Sequence, residues 1–193
     1  MDGRCRLCRA GITEFERAWA WGEYDGALRA LIHLLKYDRV SPLAEPLGAL
    51  MALGLPRGSS GEAAVPDVIV PMPLHWRRRL ERGFNQAELL ARVVGKRTGI
   101  PVEAGAAERR KATPPQAGLT NAQRRLNVSG AFEVKEKDLI RGHRVLLVDD
   151  VLTTGATASA CSAALRRAGA TSVSVLTLAR VDRRKGISGR FIS

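Results

Sequence analysis

The segment VLLVDDVLTTGAT, residues 145–157, constrains the fold more than any other part of the sequence. Its first four residues are all apolar, which is typical of a strand covered on both faces in a parallel sheet. Asp149 and Asp150 follow, at the point where we expect the strand to leave the sheet. Two adjacent carboxylates repel each other, so this placement predicts a compensating ligand, cation or water.

The pattern around this segment alternates between strands and helices. Further strands are expected at DVIVP and SVSVLTLA, residues 67–71 and 172–179. Strand, helix and strand with short connections predict an α/β fold, a parallel sheet flanked by helices. Loops are expected over 55–66 and 104–116, and amphipathic helices over 24–37, from 41 onward, over 85–99, from 120 to about 127, and over 157–168.

The turn after the acid pair has the composition of a phosphate site. Backbone N–H groups, hydroxyls and a helix N-terminus together cradle phosphate, and a glycine permits close approach of the backbone. The carboxylates before the turn suit sugar hydroxyls or a hydrated Mg²⁺. Both halves together fit a phosphoribose, although a threonine here can also be a simple helix cap and receiver domains also place paired acids at a strand end. The turn consists of Thr153, Thr154, Gly155, Ala156 and Thr157.

This segment resembles the phosphoribosyl-pyrophosphate (PRPP) motif of type I phosphoribosyltransferases. The resemblance implies that Asp149 and Asp150 hold the ribose hydroxyls while residues 153–157 hold the 5′-phosphate. It also implies that Mg²⁺ accompanies PRPP. Receiver domains lack the T-T-G-x-T that follows the acids here, which favours the phosphoribosyltransferase interpretation.

Three further blocks resemble the ComF family of competence-related, phosphoribosyltransferase-like proteins. They read YDGALRALIHLLKYDR, VPMPLHWRRRLERGFNQAELL and KATPPQAGLTNAQRRLNVSGAF. The resemblance implies a loop facing the pyrophosphate, formed by Pro73, His75, Arg79, Arg82, Asn85 and Gln86. It also implies a flexible loop closing over the site, with Lys111, Thr113, Gln116, Arg124 and Arg125.

The net charge of +12 is concentrated in two segments. Residues 75–125 contain twelve Lys and Arg against four Asp and Glu, and residues 180–190 contain five against one. These segments are either a solvated surface or a site for a polyanion, that is, ligand phosphates or a nucleic-acid backbone. We expect Asp149, Asp150 and Arg82 to carry the chemistry of the site. Arg77, Arg78 and Arg79 fit a role on the solvated surface and a role in ligand binding equally well.

Two smaller features leave alternatives open. Lys36 ends a predicted helix, where a cation complements the helix dipole, and we favour that interpretation slightly over a site role implied by the family. Cys5 and Cys8 form a CxxC pair, half of a zinc ribbon. The ComF resemblance implies two such pairs, so Zn²⁺ binding here would require a degenerate, truncated or subunit-shared site. His75 fits a polar loop position and a ligand-facing position equally, and Cys161 is expected to be buried and inert.

Composition limits the class of protein. The chain has no run of about 18 apolar residues and no apolar signal segment, and it has three cysteines, so we expect a cytoplasmic protein that does not span a membrane. We divide it into an N-terminal segment, 1–18, and a phosphoribosyltransferase-like domain, 19–193.

Two functions are compatible with these patterns. The first is transfer of phosphoribose from Mg-PRPP to a nitrogen acceptor by positioning and electrostatic stabilisation. The second, implied by the ComF resemblance, is a non-catalytic accessory in DNA uptake that binds single-stranded DNA and a helicase partner. A homodimer is compatible with either.

Overall fold

The computed structural model describes residues 13–55, 65–111 and 130–181 of the 193-residue chain. Its centre is a four-stranded parallel sheet formed by β1 (Arg17–Glu23), β2 (Val68–Pro71), β5 (Arg144–Leu152) and β6 (Ser172–Arg180). The strand order is β1-β6-β5-β2. This confirms the predicted parallel α/β architecture.

Strand β5 lies inside the sheet, and its side chains alternate between two apolar cores. Val145 and Leu147 pack into the core on one face, while Leu146 and Val148 pack into the core on the other. All four are at most 1% exposed. Full burial of such a side chain contributes about 1.5–3 kcal/mol, so this run anchors the segment that follows it.

Helices cover both faces of the sheet. The described helices are α1 (Gly26–Lys36), α2 (Ala44–Gly54), α3 (Trp76–Arg82), α4 (Gln86–Thr98) and α5 (Ala156–Arg167), with short 3₁₀ turns at Ser41–Leu43 and Lys137–Leu139. The face that buries Leu146 is covered by α1, α2 and α4, and the opposite face by α5 together with a small hairpin. The predicted helix over 85–99 is confirmed, with Asn85 and Gly99 as its caps.

The hairpin corrects the prediction of an exposed loop over 104–116. Strand β3 (Ala107–Arg109) pairs antiparallel with β4 (Phe132–Val134), and Ala106 and Ala107 are buried. Each strand has three residues and its partner is distant in the sequence, so a local pattern could not reveal either. This hairpin brings Arg109 towards the carboxyl end of the sheet.

Strand β5 also extends further than the sequence predicts. Its apolar run ends at Val148, but its pairing with β6 continues to Leu152, which lies opposite Arg180. Asp149 lies opposite Thr177 within the sheet. The prediction that the acid pair leaves the sheet is therefore wrong, and strand geometry rather than a turn holds both carboxylates.

None of the helices within the described ranges is both long and apolar enough to cross a membrane.

Candidate functional site

The acid pair is enclosed near the carboxyl end of β5. Asp150 is 4% exposed, and Asp149 is half-buried. The backbone N–H of Asp150 donates to Asp149 Oδ1 at 2.8 Å. Burial raises the pKa of Asp149 to about 7, and the neighbouring Asp150 charge adds to the effect while Lys36 partly opposes it. Such a pair favours a partner that brings positive charge or hydrogen-bond donors.

Within the fold, Lys36 supplies a positive charge next to the acid pair. Its Nζ lies 2.7 Å from Asp150 Oδ2, and the two side chains are 16% and 5% exposed. Burial acts to lower the pKa of Lys36, but Asp150 and Asp149 more than offset this and the pKa is raised. Lys36 lies in the last turn of its helix as predicted, and it also forms an ion pair that the helix-end interpretation does not explain.

The turn that we predict to hold a phosphate follows β5 directly. Gly155 adopts a left-handed φ of +75° immediately before α5, a conformation that costs little only for glycine. Thr154 Oγ1 accepts a hydrogen bond from the Ala156 N–H at 3.2 Å. A Cβ added at Gly155 would lie 3.5 Å from the Phe15 ring, so backbone conformation rather than lack of space requires the glycine.

The remaining residues of the turn differ in their exposure to solvent. Thr153 is exposed, Thr157 is half-buried and Ala156 is buried in the α5 interface. The turn and the N-terminus of a twelve-residue helix therefore present backbone N–H groups and hydroxyls close to the acid pair.

The chain leaving β2 runs directly beside β5. The Met72 N–H donates to Val148 O at 2.7 Å, which places the segment from Pro73 to His75 next to the acid pair. Asn85 Nδ2 donates to Met72 O at 3.1 Å, and Asn85 Oδ1 accepts from the Ala87 N–H at 3.1 Å. Asn85 thereby ties the exit of β2 to the start of α4, which is a structural task.

His75 and Gln86 also have partners within the fold. His75 is 6% exposed, and its Nδ1 accepts from the Arg77 N–H at 3.3 Å at the start of α3. Gln86 is 6% exposed, and its Oε1 accepts from Arg82 Nη1 at 2.9 Å. Pro73 is buried as well. The structure thus brings these predicted residues together, but their contacts mainly stabilise the segment that connects β2 to α4.

Helix α3 occupies much of the segment in which the family resemblance implied a loop facing the pyrophosphate. Arg82 is held by Gln86, and its guanidinium lies 5.2 Å from the centre of the Tyr37 ring. Arg79 is 61% exposed and lies 3.5 Å from Glu88. Arg82 is therefore positioned by two contacts, whereas Arg79 faces solvent.

Arg109 belongs to the site although the sequence did not indicate it. It ends β3, and its guanidinium lies 5.5 Å from the centre of the Phe132 ring. Burial lowers the pKa of Arg109, and the nearby Arg78 lowers it further while Asp149 raises it. These electrostatic effects show that Arg78, Arg109 and Asp149 are close enough to influence one another. Arg109 is brought to this position by the pairing of β3 with β4, which the local sequence does not reveal.

Several predicted residues lie outside the described ranges. These are Cys5 and Cys8 of the CxxC pair and Thr113, Gln116, Arg124 and Arg125 of the predicted flexible loop. Lys111 is described and exposed, at the end of the hairpin strand that leads into that segment. Cys161 is buried as predicted, and burial raises the pKa of its thiol.

The donor set fits a magnesium ion that arrives with its ligand. Among the described residues, no three His, Cys, Asp or Glu side chains converge as a metal site. Mg²⁺ is commonly held by one or two carboxylates together with substrate phosphates. Asp150 already contacts Lys36, so Asp149 is the described carboxylate best suited to lie beside a Mg–diphosphate.

Comparison with known proteins identifies the domain and the family. Residues 80–188, more than half of the chain, match the model of the phosphoribosyl transferase domain. The DNA utilization protein YhgH of Escherichia coli K12 is 34% identical over 178 residues, which cover 91% of this chain and 77% of YhgH. Competence protein F of Haemophilus influenzae is 32% identical over 178 residues, covering 91% and 78%. The chain belongs to the ComF family of phosphoribosyltransferase-domain proteins.

Membership of the ComF family confirms the resemblance seen in the sequence blocks. Among solved structures, the glutamine PRPP amidotransferase of B. subtilis, complexed with ADP and GMP, overlaps with a TM-score of 0.44 at 25% identity. The overlap covers 68% of this chain and 25% of that chain.

Proposed function

We propose that this ComF-family protein binds Mg-PRPP, or a related phosphoribosyl ligand, and transfers the phosphoribosyl group to a nitrogen acceptor. The observation that carries the proposal is one continuous stretch of chain. Asp149 and Asp150 lie at the end of a central parallel strand, and Gly155 with φ +75° opens α5 five residues later. Ribose hydroxyls would meet the carboxylates while the 5′-phosphate occupies the turn.

The transfer would break the bond between C1′ and the pyrophosphate oxygen. The electron pair would leave with the pyrophosphate, and the acceptor nitrogen would form a new bond to C1′ and then release a proton. Arg78 and Arg109 would stabilise the departing negative charge, because preorganised cations act most strongly in a site with little water. Mg²⁺, when bound, would offset charge on the diphosphate oxygens, with Asp149 beside it.

Thermal unfolding with and without Mg-PRPP tests the proposal. At a ligand concentration one hundred times the dissociation constant, the wild type should gain about 2.7 kcal/mol, which is a shift of about 5–10 °C. Asp149→Asn/Asp150→Asn should remove the shift. Glu136→Gln/Asp138→Asn is the matched control, since these two acids are exposed and their loss should leave the shift intact. A wild type that does not respond would refute PRPP binding, and release of pyrophosphate with nitrogen acceptors then tests transfer.

A second candidate function is supported by an exposed aromatic and basic surface. Trp76 and Tyr37 are 57% and 62% exposed. The Arg77 guanidinium lies 5.3 Å from the Trp76 ring centre, and Arg82 lies over Tyr37. Exposed aromatic rings beside arginines are the elements with which proteins stack and neutralise single-stranded nucleic acid. We therefore propose single-stranded DNA as a ligand of this surface, with a helicase partner as the wider setting; relatives named for DNA utilization and competence support this.

Fluorescence anisotropy with labelled oligodeoxythymidine tests the second candidate. Binding should weaken steeply between about 50 and 200 mM salt. Trp76→Ala should reduce affinity about tenfold, since stacking of one base is worth roughly 1–3 kcal/mol. Trp21→Ala is the control, because Trp21 is 43% exposed on β1, at the opposite edge of the sheet. Equal losses for both variants would argue against a stacking site on α3.

A further inference from the structure

Lys36 occupies a position that a helix-end role does not explain. Its side chain is 16% exposed although it is the last residue of α1. The Tyr37 N–H already donates to His33 O at the end of this helix. A lysine that only complemented the helix dipole would remain in solvent, where desolvation costs nothing. The side chain instead reaches inward to Asp150.

The residues that follow Lys36 in the chain make contacts that help to hold Lys36 in position. The Tyr37 ring lies under the Arg82 guanidinium, and Arg39 Nη2 donates to Glu81 O. Arg39 has a φ of +57°, a left-handed conformation that is uncommon for a residue other than glycine. The segment 36–39 therefore crosses from the acid pair to α3 and is held at both ends.

The ion pair changes what the two carboxylates can offer to a ligand. A pair of adjacent carboxylates in a buried strand is strained electrostatically. Lys36 Nζ lies 2.7 Å from Asp150 Oδ2, so the charge of Asp150 is compensated within the fold. The contact with Lys36 also restricts the movement of Asp150, and an acceptor held in place discriminates between hydroxyl groups more strongly than one that can move.

We propose that Lys36 is a positioning residue that orients Asp150 for recognition of the ribose hydroxyls. This inference rests on the proposed phosphoribosyl function and assigns to α1 a part in ligand selection. Lys36 acts through Asp150. The turn at 153–157 binds the phosphate end independently of Lys36.

Competition by three small probes tests this role. Bound Mg-PRPP is displaced by ribose 5-phosphate, 2-deoxyribose 5-phosphate or inorganic phosphate, and the inhibition constants are compared. The wild type should prefer ribose 5-phosphate over the deoxy sugar by about tenfold or more, as expected for a hydrogen bond to a charged group. Lys36→Met should reduce this preference to less than about threefold and leave the constant for inorganic phosphate unchanged.

Three further variants keep the test decisive. Lys36→Gln is uncharged and one bond shorter, so it should no longer hold Asp150 in place and should lose the preference as well, while its polar side chain costs the fold less than that of Lys36→Met. Lys36→Arg restores the charge and should recover part of the preference. Lys135→Met is the matched control, since Lys135 pairs with Glu108 at 2.6 Å but is 54% exposed, and it should behave as the wild type.

The outcomes separate this inference from the proposed function. A wild type that does not bind Mg-PRPP refutes the proposed function and the inference with it. A wild type that binds, together with a Lys36→Gln variant that keeps the full preference for ribose, overturns the role of Lys36 alone.

Discussion

The acid pair on β5 and helix α3 lie beside neighbouring strand ends, yet they differ in how far their side chains are buried. Asp150 and its partner Lys36 are buried and joined at 2.7 Å. Helix α3 has no buried residue, and its Leu80 is 74% exposed. The comparison shows that packing fixes the negative side of the site before any ligand arrives. The exposed arginines of α3, Arg77 and Arg79, keep side-chain freedom that a ligand would have to restrict.

The largest expected effect concerns the buried ion pair. Lys36→Met leaves Asp150 buried without its cation, and removal of one partner of a buried pair costs about 3–5 kcal/mol. Lys36→Met/Asp150→Asn removes both charges and should recover more than half of that loss. The free energy of unfolding in urea measures both. A loss below about 1 kcal/mol for Lys36→Met would mean that the pair is solvated, and the contrast with α3 would fail.

The next effect depends on pH. The pKa of Asp149 is about 7 in the folded protein against 3.8 as its ordinary value. Between these values the folded protein retains a proton that the unfolded chain has released, so stability falls as pH rises from about 4 to 7. Asp149→Asn removes this penalty. It should raise the free energy of unfolding by roughly 1–3 kcal/mol at pH 8, with the gain disappearing towards pH 4.

Urea titrations of wild type and Asp149→Asn across pH 4–8 measure this difference. A gain that is the same at every pH would show that Asp149 ionises normally and is not enclosed as described.

A smaller effect is expected at the phosphate turn. Gly155→Ala places a Cβ in a left-handed conformation, which costs about 1–2 kcal/mol. Gly99→Ala is the matched control, because Gly99 has φ +76° and a Cβ there would meet nothing within 4 Å. Both variants should lose similar stability, but only Gly155→Ala should weaken displacement of Mg-PRPP by inorganic phosphate. Equal phosphate binding in the two would remove the turn from the site.

The smallest effect on stability is expected at α3. Trp76→Ala should change the free energy of unfolding by no more than about 0.5 kcal/mol, since an exposed side chain contributes little to the fold. Urea unfolding measures this. A loss above about 2 kcal/mol would show that Trp76 is packed, and α3 would then resemble the acid-pair region rather than contrast with it.

Local patterns predicted the parts of the site that are continuous in the chain. The run 145–148 indicated a strand buried on both faces, and Gly155 marked the turn into α5, because these depend on the order of neighbouring residues. The apolar run wrongly predicted that β5 ends at Val148. Pairing with β6 holds Asp149 to Leu152 in the sheet, and a partner strand cannot be read from the polarity of one segment.

The sequence alone thus determined the α/β class and the order of strand, acid pair, glycine turn and helix, since each follows from residues within one short segment. The tertiary structure alone decided which distant residues complete the site. Lys36 reaches Asp150 across more than one hundred residues of chain, and Arg109 approaches Asp149 because β3 pairs with β4. Whether a charged side chain faces solvent or a buried partner depends on which elements pack together, and that information is not local.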